Sequence, residues 1–216
     1  MPKRVYFLIP NLIGYVRIAL AVGAFHYCFE QHYLFVILYG MSQLLDTLDG
    51  YAARYFNQPT QYGAALDMVI DRVSTAALLM AVTMLYPRYV GLFMALLGLD
   101  IASHFVHMYS SLLQGKKSHK HIAQDQPWLL RHYYTNKLVL FTLCLGNEAY
   151  LLLLYLLNPR TACITAPSAA SYICLWVTIV CLGTLFALKQ LTSIVQLTQA
   201  IQRMTTLDQG APCRSE

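Results

Sequence analysis

Charge is what this sequence has least of. Asp, Glu, Lys and Arg together make up 12% of its 216 residues, and hydrophobic residues make up 57%. Soluble domains carry about 25% charged residues. So few charges cannot cover a water-facing surface. The composition excludes an ordinary cytosolic enzyme, a disordered chain and a nucleic-acid binder with a basic face; no nucleic-acid partner is expected. Cysteine chemistry is thin as well. The six cysteines form no CxxC pair, and four of them lie in apolar runs, so neither a disulfide framework nor a zinc knuckle is expected. No small-residue cleavage site closes the opening Met-Pro-Lys-Arg-Val-Tyr-Phe-Leu-Ile-Pro, which Pro10, Asn11 and Gly14 interrupt. It reads as a retained amphipathic lead-in. Repeats, low-complexity stretches and a soluble domain are all lacking.

What is present is a series of long apolar runs. A helix needs roughly 20 apolar residues to cross about 30 Å of hydrocarbon. The runs predict six transmembrane helices, at 12–29, 33–53, 64–86, 89–113, 138–157 and 169–188. The last continues as an amphipathic extension to about 207. The expected fold is all-α and polytopic, one membrane domain over 1–207 with a polar tail at 208–216. Lys3, Arg4, Arg54, Lys116, Lys117, Lys120, Arg131, Lys137, Lys189, Arg203 and Arg214 fall at one set of span ends, Arg88 and Arg160 at the other. That asymmetry predicts cytosolic termini.

Against this background four carboxylates stand out. Asp46, Asp49, Asp67 and Asp71 lie in or at the ends of the second and third spans. Each carboxylate at a helix centre costs about 2.5–3.5 kcal/mol on insertion scales. Pairing with Arg54 or Arg72 would serve one aspartate, but two arginines cannot neutralise four. The spacing points to a multivalent cation. Asp46 and Asp49 are i, i+3, and Asp67 and Asp71 are i, i+4, so each pair lies on one helix face. Antiparallel neighbours with a short connection bring the pairs together. An all-oxygen site of this kind suits Mg²⁺ or Mn²⁺, two ions fitting four carboxylates plus phosphate oxygens. Such sites serve phosphoryl-group displacement. Gly50 leaves room for a ligand to approach the backbone. Arg54 is placed either to grip a phosphate or to anchor the span at the interface. Gly63 is small where helices pack closely.

The order Asp46-x-x-Asp49-Gly50-x-x-Ala53-Arg54, eight residues, then Gly63-x-x-x-Asp67-x-x-x-Asp71 resembles the signature of the CDP-alcohol phosphatidyltransferases at every fixed position. The resemblance runs on through Pro10 to Arg17, Leu66 to Arg72, Ser118-His119-Lys120, Tyr133-Tyr134-Thr135, Phe141 to Cys144 and Asn147-Glu148, and is strongest to the eukaryotic members that use inositol. It implies a six-helix, dimeric membrane enzyme that transfers the phosphatidyl group of CDP-diacylglycerol to myo-inositol and releases CMP. By position, Asp46, Asp49, Asp67 and Asp71 would hold the metals, with Asp71 also the general base. Gly50, Arg54 and Thr60 would contact the CDP-lipid. Asn11 and Arg17 resemble family positions near the nucleotide. The resemblance also implies the endoplasmic reticulum, or the Golgi, with the site facing the cytosol.

Other groups carry weaker signals. Asp100, His104 and His107 share a face of the fourth span. They read as hydrogen bonding between spans, as the lining of a polar cavity for inositol, or as a zinc site that lacks a further ligand. Glu148 poses the same choice. Lys116, Lys117, Lys120, Arg131 and Lys137 read as contacts to anionic membrane lipids, with Lys137 the candidate for reaching inositol. Two other readings compete: the same chemistry with glycerol phosphate, serine or inositol phosphate as acceptor, and a small transporter with an acidic ion path.

Overall fold

The structure, a computed structural model, describes residues 3–114, 136–161 and 169–210. Most of these are helical, with no strand among the described residues. In chain order the helices are α1 (Lys3–Tyr6), α2 (Ile9–His26), α3 (His32–Tyr55), α4 (Gln61–Leu85), a 3₁₀ turn at Pro87–Tyr89, α5 (Val90–Gln114), α6 (Lys137–Leu157) and α7 (Ala169–Gly210). The expected spans map onto α2 to α7, with helix ends that differ by up to three residues. α2 begins at Ile9, because Pro10 falls in its first turn, where its missing N–H breaks no helical bond. α7 runs unbroken for 42 residues and ends at Gly210, past the expected helix end.

Five segments are long and apolar enough to cross a membrane: Ile9–His26, Gln61–Leu85, Pro87–Leu113, Leu138–Leu157 and Ser171–Gln209. The chain is therefore a polytopic membrane protein by length and composition. α3 falls outside that set because one of its faces is polar. Its other face is not: Ile37, Met41, Leu44, Leu48, Tyr51 and Tyr55 recur at helical spacing and are all exposed.

The chain forms two compact units. Unit 1 comprises residues 1–88 and 151–165, unit 2 residues 89–150 and 166–216. In unit 1, α2 packs along α3 and against α4. One end of this bundle is held by aromatics and buried polar ties. The Phe35 and Tyr155 rings lie 4.6 Å apart, and Phe35 also meets Phe25 and Tyr39. The Tyr155 hydroxyl donates to the Cys28 carbonyl and lies 2.7 Å from His32 Nδ1. Asn158 Nδ2 donates to the Leu85 carbonyl at 3.0 Å, and the Tyr86 hydroxyl to that of Leu154 at 2.8 Å. These bonds satisfy carbonyls that helix ends leave unpaired.

Unit 2 is built around a polar seam. α5 packs along α7. Lys189 Nζ lies 3.2 Å from Asp100 Oδ1 and donates to Ser193 Oγ at 2.9 Å. Ser103, Ser110, Thr192 and Gln196 are buried with them. The outward residues are apolar: Ile101, Phe105, Tyr109 and Leu112 on α5, Leu188, Leu191 and Ile194 on α7. Polar groups inside and apolar groups outside is the arrangement a lipid solvent favours. Lys189, grouped by sequence with the basic span ends, is thus committed to Asp100.

α6 meets α7 within unit 2 through Gln190 Nε2, which donates to Asn147 Oδ1 at 2.9 Å. The approach there is very close: a Cβ added to Gly146 would stand 2.6 Å from Leu185 Cβ. Gly146→Ala is expected to push these helices apart and lower thermal stability in detergent by about 1–3 kcal/mol. Gly183→Ala, whose added carbon would meet Tyr150 at an ordinary 3.4 Å, is expected to change little.

Candidate active site

The site lies in unit 1, and local backbone chemistry places it. α3 ends just after Arg54 in a Schellman turn. Gln58 N donates to the Ala53 carbonyl at 2.9 Å, and Asn57 N to that of Arg54 at 3.3 Å. Asn57 takes the left-handed conformation this turn requires, with φ of 53°. Pro59 follows, and Thr60 caps α4, its Oγ1 accepting from Gly63 N at 3.0 Å. The chain reverses within a few residues, and the carboxylate face of α3 comes to lie against that of α4.

All four predicted aspartates converge, and they converge on Arg17 of α2. Arg17 Nη1 lies 2.7 Å from Asp49 Oδ2 and 2.7 Å from Asp67 Oδ1. Nη2 lies 2.6 Å from Asp46 Oδ1 and 2.6 Å from Asp71 Oδ1. Each nitrogen thus bridges one carboxylate of α3 to one of α4. Arg17 is wholly buried, while the aspartate side chains are between 10 and 46% exposed. Ser42 pins the spot by donating to the Arg17 carbonyl at 3.0 Å. Four carboxylates against one guanidinium leave a formal charge of −3.

Arg17 is the residue that sequence reasoning undervalued. Arg54 and Arg72 are near the aspartates in sequence, whereas the guanidinium that bridges all four carboxylates comes from another helix. A signal was available, since a lone arginine in an apolar span needs an anionic partner.

The carboxylates fit a hard divalent cation. One oxygen from each of Asp46, Asp49 and Asp67 lies within 4.8 Å of the others, the one such grouping found among the described residues. A cation, the Arg17 guanidinium, already stands among them. Asp71 flanks this trio. Among the described residues, Asp100 and His104 belong to no metal-ligand grouping. His104 Nδ1 lies 2.8 Å from the Asp100 carbonyl, and the Asp100 carboxylate faces Lys189. Glu148 Oε1 accepts from Asn147 Nδ2 at 3.4 Å.

Beside the aspartates a cavity of about 230 Å³ opens, lined by Asn11, Gly14, Asp49, Gly50, Ala53, Arg54, Thr60, Gly63 and Asp67 among others. Gly50, Arg54 and Thr60, predicted to meet a phosphate-bearing lipid, all lie on its wall. The described geometry gives Gly63 a second explanation besides helix packing. A Cβ there would stand 2.8 Å from Asn11 Oδ1 and 3.0 Å from Thr60 Oγ1, so only glycine lets α2 and the α4 cap approach this closely. The side chain of Lys137, and all of Lys116, Lys117, Lys120 and Arg131, lie outside the described residues.

The family model for CDP-alcohol phosphatidyltransferase matches residues 7–182. The chain belongs to the CDP-alcohol phosphatidyltransferase family. The relatives that this phosphatidyltransferase matches include the CDP-diacylglycerol–inositol 3-phosphatidyltransferase of Rattus norvegicus, 41% identical over 209 residues and 96% of each chain. The proteins of the same name from Schizosaccharomyces pombe and Saccharomyces cerevisiae are 39% and 41% identical. They align over 94% and 92% of this chain and over 91% and 86% of their own lengths. No solved structure matches.

Two glycine substitutions separate packing from ligand access in this phosphatidyltransferase. Gly63→Ala is expected to displace the Thr60 cap and Asn11, costing about 1–2 kcal/mol of stability together with activity. Gly50→Ala meets only the flexible Arg54 guanidinium, at 3.6 Å. It is expected to leave thermal unfolding unchanged while narrowing the cavity and lowering turnover. Paired unfolding curves and initial rates check both.

Proposed function

We infer that this protein transfers the phosphatidyl group from CDP-diacylglycerol to myo-inositol, giving phosphatidylinositol and CMP. The observation that carries this reading is near-full-length identity of about 40% to enzymes of that name. The acidic cluster beside a cavity supports it chemically.

In this reading the acyl chains of the donor lie in the bilayer and its pyrophosphate enters the cavity beside Gly50. The absent side chain there lets the phosphate lie against the α3 backbone. Arg54 grips the phosphate and Thr60 offers it a hydroxyl. Asp46, Asp49, Asp67 and Asp71 are the residues that would hold Mg²⁺ or Mn²⁺, two ions per site, which supply charge neutralisation to the pyrophosphate and the departing CMP. Asp71, beside the trio, takes the proton of an inositol hydroxyl. The inositol oxygen bonds to the phosphorus that carries diacylglycerol, and the bond from that phosphorus to CMP breaks. Attack and departure occur in one displacement, without a covalent enzyme intermediate.

The proposed topology has six spans, with α3 as the second. At 24 residues it is about 36 Å long, enough to cross, and its polar face is turned to Arg17. Both termini and the aspartates then face the cytosol, in the endoplasmic reticulum or Golgi membrane, and the protein works as a homodimer. Lys137 is the candidate for holding inositol.

An acceptor panel tests the reaction. Purified protein with CDP-diacylglycerol and Mn²⁺ or Mg²⁺ is expected to move label into lipid from inositol alone, and EDTA is expected to abolish the transfer. Label from glycerol phosphate, serine or inositol phosphate would replace the acceptor and keep the chemistry. Asp71→Asn is expected to lower the rate by about 10²–10⁴-fold in protein that unfolds as wild type does with Mn²⁺. Inversion at phosphorus is expected; retention would refute the single displacement.

A further inference from the structure

Arg17 is held among the aspartates through its two Nη nitrogens. These engage all four carboxylates, but the buried Nε has no hydrogen-bond partner. A guanidinium built in as a permanent strut would be expected to use that fifth donor, since an unsatisfied buried donor costs about 1–3 kcal/mol. The oxygens it takes from Asp46, Asp49 and Asp67 belong to the residues that group for a metal. Arg17 and a divalent cation therefore compete for the same carboxylates.

We propose that Arg17 is an exchangeable counter-ion. It holds the four carboxylates together in the metal-free protein and leaves them as a divalent cation is bound. The inference rests on the metal role given to the aspartates above, and makes Arg17 a positioning residue for it. Without a cation, α3 and α4 would carry four facing carboxylates in a weakly screened setting, and their repulsion would splay the helices. A tethered single charge prevents this and keeps the oxygens in place. A divalent ion, with twice the charge on a far smaller centre, outcompetes it. The affinity measured for the metal is then the intrinsic affinity reduced by the fraction of protein whose carboxylates are free of Arg17.

The test uses the full chain in detergent micelles: wild type, Arg17→Gln and Arg17→Lys, purified with Mn²⁺ and stripped with EDTA. Bound Mn²⁺ is read from the loss of the free-ion electron paramagnetic resonance signal, and stability from thermal unfolding with EDTA or Mn²⁺. If Arg17 occupies the carboxylates in nine molecules of ten, Arg17→Gln tightens the Mn²⁺ Kd by about tenfold. Its Tm is expected to fall below that of wild type in EDTA and to recover in Mn²⁺. Arg17→Lys, whose single ammonium cannot bridge four carboxylates, is expected to lie between the two. Should Arg17→Gln fail to survive stripping, Arg17→Lys carries the comparison, with a tighter Kd expected. An unchanged or weaker Kd in a folded variant overturns the proposal, because a purely structural arginine would weaken metal binding when removed. Wild-type protein that binds no Mn²⁺ would instead overturn the metal reading, and this proposal with it.

Discussion

One fully buried guanidinium bridging four carboxylates is the constraint around which unit 1 is arranged. Charges in a low-dielectric setting repel or attract far more strongly than in water, so the aspartates of α3 and α4 can face each other only with a cation between them. Arg17 reaches them because α2 packs along α3, and Ser42 ties the two helices at the level of the arginine. The Schellman turn at Asn57 and the Thr60 cap reverse the chain tightly enough for Asp49 to share one nitrogen of Arg17 with Asp67, and Asp46 the other with Asp71. Gly63 then permits the approach of Asn11 that closes the cavity wall. Each local device serves the placement of charge.

Buried polar groups and exposed apolar faces recur in both units, the exposed faces lined with Leu, Ile, Val, Met and aromatics. For α3 this makes mean hydropathy misleading. An average over the helix mixes an oxygen-rich face turned to Arg17 with an exposed apolar stripe from Ile37 to Tyr55, and only the three-dimensional face assignment separates them. In unit 2 the buried Asp100 and Lys189 neutralise each other. Removing one partner of such a buried pair costs more than the pair's own net worth.

Much was legible beforehand. Six helical segments could be read from the sequence, five of them long and apolar enough to cross a membrane, because lipid leaves a spanning chain no other way to satisfy its backbone. Helix ends shifted where one residue decides the matter, as with Pro10 in the first turn of α2. That the aspartates would gather could be read because intramembrane carboxylates at helical spacing are too costly to be incidental, and the places of Gly50 and Arg54 beside them because they share that spacing.

Sequence by itself thus determined the helices, the faces the carboxylates occupy and the family signature, all of which follow from local periodicity and from spacing within about 25 residues of chain. Tertiary structure alone decided which cation meets those carboxylates and which acid Lys189 answers. Arg17 is 29 residues from the nearest of its aspartates and 54 from the farthest, and Lys189 is 89 from Asp100. Periodicity places a residue on a face of its own helix. Which faces meet is set by packing between helices, where long-range charge pairing and the close approach at Gly63 select one arrangement from many.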